Sequence, residues 1–150
     1  TQLRPRDFIE YVRCCCQEAI DRHKDRIDER IILHVDRAFS NYLKDEFVDE
    51  IHPVLPDIVN IFQVFSTIGK WNLKVIEFRE KFQEFVDSGI IKEKNIDYVL
   101  ETLFDFSVIG NQHKSQKGIF FFKFKQTNMK YNKDENIIIH RGLFKSLSIF

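Results

Sequence analysis

The residues whose types could do chemistry are few in this 150-residue chain, and their spacing is poor for it. Three cysteines stand consecutively at Cys14, Cys15 and Cys16. A structural zinc site needs four ligands at spacings such as C-x2-C. Neighbouring helical positions point about 100° apart, so the three thiols neither share one metal nor pair easily. They read instead as small residues on or beside a helix's apolar stripe. With no distant partner for a disulfide, they fit a reducing, cytoplasmic setting. The histidines, His23, His34, His52, His113 and His140, include no pair at i+3 or i+4, so they read as surface or packing residues. No G-x-x-x-x-G-K-[ST], G-x-S-x-G, H-E-x-x-H or G-x-G-x-x-G occurs, and the five glycines are scattered singly. No nucleophile–base pair can be proposed from these motifs. The chain by itself is therefore expected to be neither an enzyme nor the holder of a metal or cofactor.

The charged residues are more informative. Arg4-Pro5-Arg6-Asp7 places two arginines around a helix start, where Asp7 suits the helix dipole. By itself this run reads equally as a solvated terminus. The chain has 23 basic and 23 acidic residues, but they are unevenly distributed. Residues 1–56 hold 9 basic and 12 acidic, residues 57–110 hold 6 and 9, and residues 111–150 hold 8 and 2. A basic segment thus follows an acidic body, an asymmetry that suggests a local anionic partner or an intramolecular dock. Lys114, Lys117, Lys123 and Lys125 are its candidate contact residues. Nucleic acid, a protein partner, acidic helices of the same chain and plain solvent all remain open for them.

The elements that would position these residues follow from periodicity. A first helix is expected over 5–24, with Phe8, Ile9, Val12, Cys15, Cys16, Ala19 and Ile20 forming one apolar stripe. A long second helix over 28–52 carries two stripes, Ile31, Val35, Ala38, Tyr42 and Phe39, Leu43, Phe47, Ile51, so it should meet neighbours on two sides. Pro53 and Pro56 end it. A short helix follows, closed by Gly69. The next is expected to be capped by Asn72 and ended by Gly89, and a third is capped by Asn95. Strands are expected over 107–111, 118–125 and 136–140, with a terminal helix over 141–150. Sixteen phenylalanines supply a large aromatic core. The stretch 58–69, the longest without charge, is far short of the roughly 20 apolar residues that span a bilayer, so no membrane partner is expected.

The fold class expected is mainly α with a small β-hairpin, divided into a helical lid-like bundle (1–54) and a winged-helix-like domain (55–150). Three short helices followed by a hairpin is the order of a winged helix, whose third helix usually reads DNA. Here that helix offers Asp97, Glu101, Thr102 and Asp105 outward, which repels a duplex. Only the basic wing suits phosphate.

Arg4-Pro5-Arg6-Asp7-Phe8-Ile9 resembles the start of the helical lid in bacterial P-loop ATPases related to the AAA+ and STAND groups. The runs 39–56, 106–110 and 139–143 are similar to one such family, although Arg141 stands where that family often has proline. The resemblance implies the C-terminal part of a larger ATPase whose Walker elements lie upstream, with ATP and Mg bound only in the parent protein. It implies Arg4 or Arg6 as the phosphate-sensing residue and the upstream ATPase core or another protein as partner. The expected function is a regulatory and interaction module coupling nucleotide state to a winged-helix domain. The alternative is a nucleic-acid-binding winged helix acting through its basic wing, in a DNA-associated or defence-related setting.

Overall fold

A computed structural model describes residues 5–116 and 118–150. Arg4 and Lys117 lie outside the described residues. Helix α1 spans Pro5–Asp21 and α2 spans Glu29–Ile51. Then come α3 (Ile58–Ile68), β1 (Asn72–Leu73), α4 (Val75–Asp87), α5 (Ile96–Asp105), β2 (Ile109–Gln112), β3 (Phe120–Phe121), β4 (Asn136–Ile139) and a 3-10 turn at Arg141–Leu143. The chain is mainly helical with one small antiparallel sheet, ordered β1-β4-β2-β3. Among the described residues no helix is long and apolar enough to cross a membrane.

Local chemistry explains most of the boundaries. Asp28 caps α2 by accepting from the Ile31 N–H at 3.0 Å. Asn95 caps α5 in the same way through the Tyr98 N–H. Helix α1 stops at Asp21, earlier than its periodicity suggests. There His23 takes φ +54°, while the N–H groups of His23 and Lys24 return to the carbonyls of Ile20 and Ala19, a Schellman closure normally given to glycine. Gly89 closes α4 with the same pair of bonds. Ser107 closes α5 at φ +59°. Its hydroxyl also accepts from the Phe124 N–H at 3.1 Å, which a glycine could not do.

Three further expectations change. Asn72 belongs to β1 rather than to a cap; α4 is capped instead by Lys74, whose N–H donates to Glu77. The strand expected over 118–125 is paired only at Phe120–Phe121. Beyond it the chain turns, with Lys125 and Gln126 N–H bonding to the carbonyls of Phe122 and Lys123. Phe122 packs over Gly110, where a Cβ would meet its ring at 3.0 Å. The terminal helix is a single 3-10 turn followed by irregular turns, although Leu143 and Leu147 point inward as expected, joined by Ile149.

Two clusters of buried side chains result. The larger gathers Leu43, Phe47 and Ile51 of α2 with α3, α4, α5, the sheet and the C-terminal turns; within it Phe65 stacks on Phe78 at 4.8 Å. The smaller contains Cys15, Ala19, Ile31 and Val35, where α1 meets the first half of α2. Helix α2 therefore serves both, as its two stripes imply, although Ala38 is exposed.

Candidate functional site

Ser40, in the middle of α2, ties the helical hairpin to the C-terminal turns. Its hydroxyl donates to the Gly142 carbonyl at 2.6 Å and accepts from the Ser146 N–H at 2.9 Å. A Cβ at Gly142 would come within 2.4 Å of Leu43 Cδ2, so the Leu43 side chain would have to move to admit one. These turns continue directly from β4, so α2 is linked to the sheet through one short segment. His140 sits at the joint. It packs edge-on to Phe47 and Phe122, and its Nδ1 accepts from the Gly142 N–H at 3.1 Å. Burial pulls its pKa down to about 4, so it is neutral at pH 7.

Beside this joint lies a cleft of about 460 Å3 between α1, α2 and the turns. Asp7, Tyr11, Asp36, Phe39, Arg141 and Lys145 are among its lining residues. Asp7 is only 7% exposed. The Tyr11 hydroxyl donates to Asp36 at 3.2 Å, and burial with that carboxylate pushes its pKa up to about 12. Arg6, the described member of the two candidate arginines, makes an ion pair with Glu46 of α2, and its Nε lies 4.0 Å from Asp7. Its guanidinium is thus held against the hairpin's own carboxylates.

The apolar stripe expected on α1 divides in the structure. Cys15 and Ala19 are buried, and Cys14 is half-buried with its thiol on Glu10. Burial raises the pKa of both Cys14 and Cys15, which disfavours the nucleophilic thiolate. Phe8, Ile9 and Ile20, by contrast, are 70%, 65% and 65% exposed, and Val12 and Cys16 are exposed with them. Positions 8, 12, 16 and 20 recur every four residues, with 9 beside them, so they share one helix face. Periodicity marks these side chains as part of one apolar stripe; it carries no signal for whether the chain itself covers all of that stripe.

The candidate lysines do not form one cluster. Lys123 is used internally: its Nζ donates to the Met129 carbonyl at 2.8 Å and lies 3.3 Å from Asp105 of α5. Lys125 Nζ lies 5.8 Å from the centre of the Phe124 ring. Lys114 is exposed and lines a separate concavity with Lys74 and Lys133. On α5, Glu101 and Asp105 are exposed and Asp97 pairs with Arg79 at 2.5 Å. Thr102, expected outward, is buried. Among the described residues no group of three His, Cys, Asp or Glu side chains is placed to hold a metal ion.

Residues 1–48 match the model of the FunZ-associated C-terminal helical domain, a match that takes in α1 and most of α2. No curated protein and no solved structure matches the chain.

Proposed function

We propose that this chain is a regulatory and interaction module at the C-terminal side of a larger P-loop ATPase. The hairpin α1–α2 acts as the lid, and the open face of α1 docks on the ATPase core. The observation that carries this reading is that face: five apolar or thiol side chains left uncovered on one helix, inside the segment similar to a C-terminal helical domain. Contiguous exposed apolar surface of this kind marks interaction sites.

Nucleotide state would pass along α2, which reaches from the docked hairpin to Ser40 and so to the segment continuing β4. The order α3, β1, α4, α5, β2, β4, with the three strands paired antiparallel, supports reading the second half as a winged helix. Arg6 would sense phosphate only by leaving Glu46; Arg4 is the other candidate. A second reading, nucleic-acid contact through the wing, draws on Lys114 and Lys125, since Lys123 is engaged by Asp105.

The test is made in the parent polypeptide. A Walker A motif is expected upstream of Thr1, and its absence there would end the ATPase reading. Ile9→Asp with Ile20→Asp should change the parent's ATP hydrolysis rate while this chain's own melting temperature stays within a few degrees. An unchanged hydrolysis rate would count against docking.

A further inference from the structure

The sheet face turned away from the main core carries a second group of polar and aromatic side chains, which does not rest on the lid reading; part of it is covered, with Gln112 and Ile138 buried and Phe122 over Gly110. Strand register puts Gln112 opposite both Asn136 and Phe120, and Asn72 opposite Ile138. Side chains alternate along a strand, so Asn72, Gln112, Asn136 and Phe120 share one face. The opposite face, with Leu73, Ile137, Ile139 and Ile109, is core. On the outer face the carboxamides are linked: Asn72 donates to Gln112, and Asn136 donates to Asn72 at 3.2 Å. At one end of this row the Trp71 ring meets Phe120 edge to face, with centroids 6.2 Å apart. Both rings are open to solvent, 37% and 38% exposed. At the other end Asn136 borders a concavity of about 470 Å3, whose lining includes Lys74, Lys114 and Lys133.

An exposed aromatic pair, a row of amides and three ammonium groups therefore lie in sequence across one surface. Asp134 and Glu135 also line the concavity. They are the only acidic residues in the 111–150 segment, against eight basic ones.

We infer that this surface binds single-stranded nucleic acid, with an unpaired base stacked on the Trp71 ring beside Phe120 and the adjoining phosphates on Lys74, Lys114 and Lys133. The half-buried carboxamides of Asn72 and Asn136 meet base edges, oriented by the buried Gln112. A duplex keeps its bases stacked on one another and offers no ring face to Trp71. The helix that would enter its groove, α5, is acidic. Single strands suit the site because every unpaired base has an open π face, and a positive groove beside aromatic side chains follows the backbone without reading sequence.

Trp71 is the chain's one tryptophan, so its fluorescence reports this site alone. Labelled 12-nucleotide single strands of DNA and RNA, the matching duplexes and an acidic peptide are titrated at low salt, with anisotropy and tryptophan emission followed together. Single strands are expected to bind with quenching of Trp71, and log K should fall with log salt at a slope of about −2 for three phosphate contacts. Trp71→Ala should weaken binding about 5- to 150-fold. Lys114→Glu with Lys133→Glu, at exposed positions that leave the core intact, should abolish it while far-UV circular dichroism is unchanged. No binding at low salt, binding without a salt slope, binding without quenching, or tighter binding of the duplex or the acidic peptide would each overturn the inference.

Discussion

Replacing Ser40 by alanine removes one oxygen and breaks two connections. Ser40 is 2% exposed, and its hydroxyl sits between the Gly142 carbonyl at 2.6 Å and the Ser146 N–H at 2.9 Å. The alanine variant leaves both backbone groups facing a methyl group. An unsatisfied buried partner costs about 1–3 kcal/mol, so Ser40→Ala should lose about 2–6 kcal/mol with both left dry. For a chain of this size that corresponds to a melting temperature roughly 4–24 °C lower. Urea denaturation followed by circular dichroism measures the loss, and an unchanged m-value would show that the same surface is exposed on unfolding. A loss below about 0.5 kcal/mol would refute the reasoning. It would mean that Leu143, Leu147 and Ile149 hold the segment by apolar contact alone, and that α2 and β4 are not joined through Ser40.

Other substitutions probe the same architecture. His140 is depressed to about 4 from 6.5, first by burial, so between those values the unfolded chain binds a proton that the folded chain refuses. Stability from this residue is complete above pH 6.5 and falls as pH drops towards 4, by up to about 3 kcal/mol; in urea titrations across that window, His140→Gln should flatten the slope. His23→Gly should raise stability by about 0.5–1 kcal/mol, because the left-handed cap at φ +54° suits glycine; thermal melts of the two chains decide it. Gly110→Ala would put a Cβ 2.4 Å from the Phe121 carbonyl oxygen. It should cost about 1–3 kcal/mol and detach β3, visible as altered Trp71 emission through loss of its Phe120 contact.

Much of this fold is legible in the residues. Asn95, Gly69 and Gly89 mark helix ends through cap chemistry that acts within a few residues, and the structure uses all three. The two stripes of α2 correctly call for neighbours on two sides. Strand β1 is hidden because Asn72 and Leu73 become a strand only by pairing with Ile138 and Ile137, some sixty residues away. The run after Phe121 alternates like a strand, yet Ser107, arriving from the end of α5, captures the Phe124 N–H and helps bend it. Of the candidate residues, Arg6 is found paired on its own hairpin and Lys123 on α5, contacts that only the tertiary fold creates. The surface of Trp71, Phe120 and the three amides carries no local signal for the same reason: its members come from four separate stretches of chain.

The docking of α1 is the central claim, and Cys16 offers the most direct measurement of it. This thiol is exposed on the open face of α1, while Cys15 beside it is buried. In a Cys14→Ser background, alkylation of Cys16 by iodoacetamide is timed by mass spectrometry in this 150-residue chain and in the parent polypeptide. The account predicts labelling at least tenfold slower in the parent, where the face is covered. Equal rates in the two would contradict it.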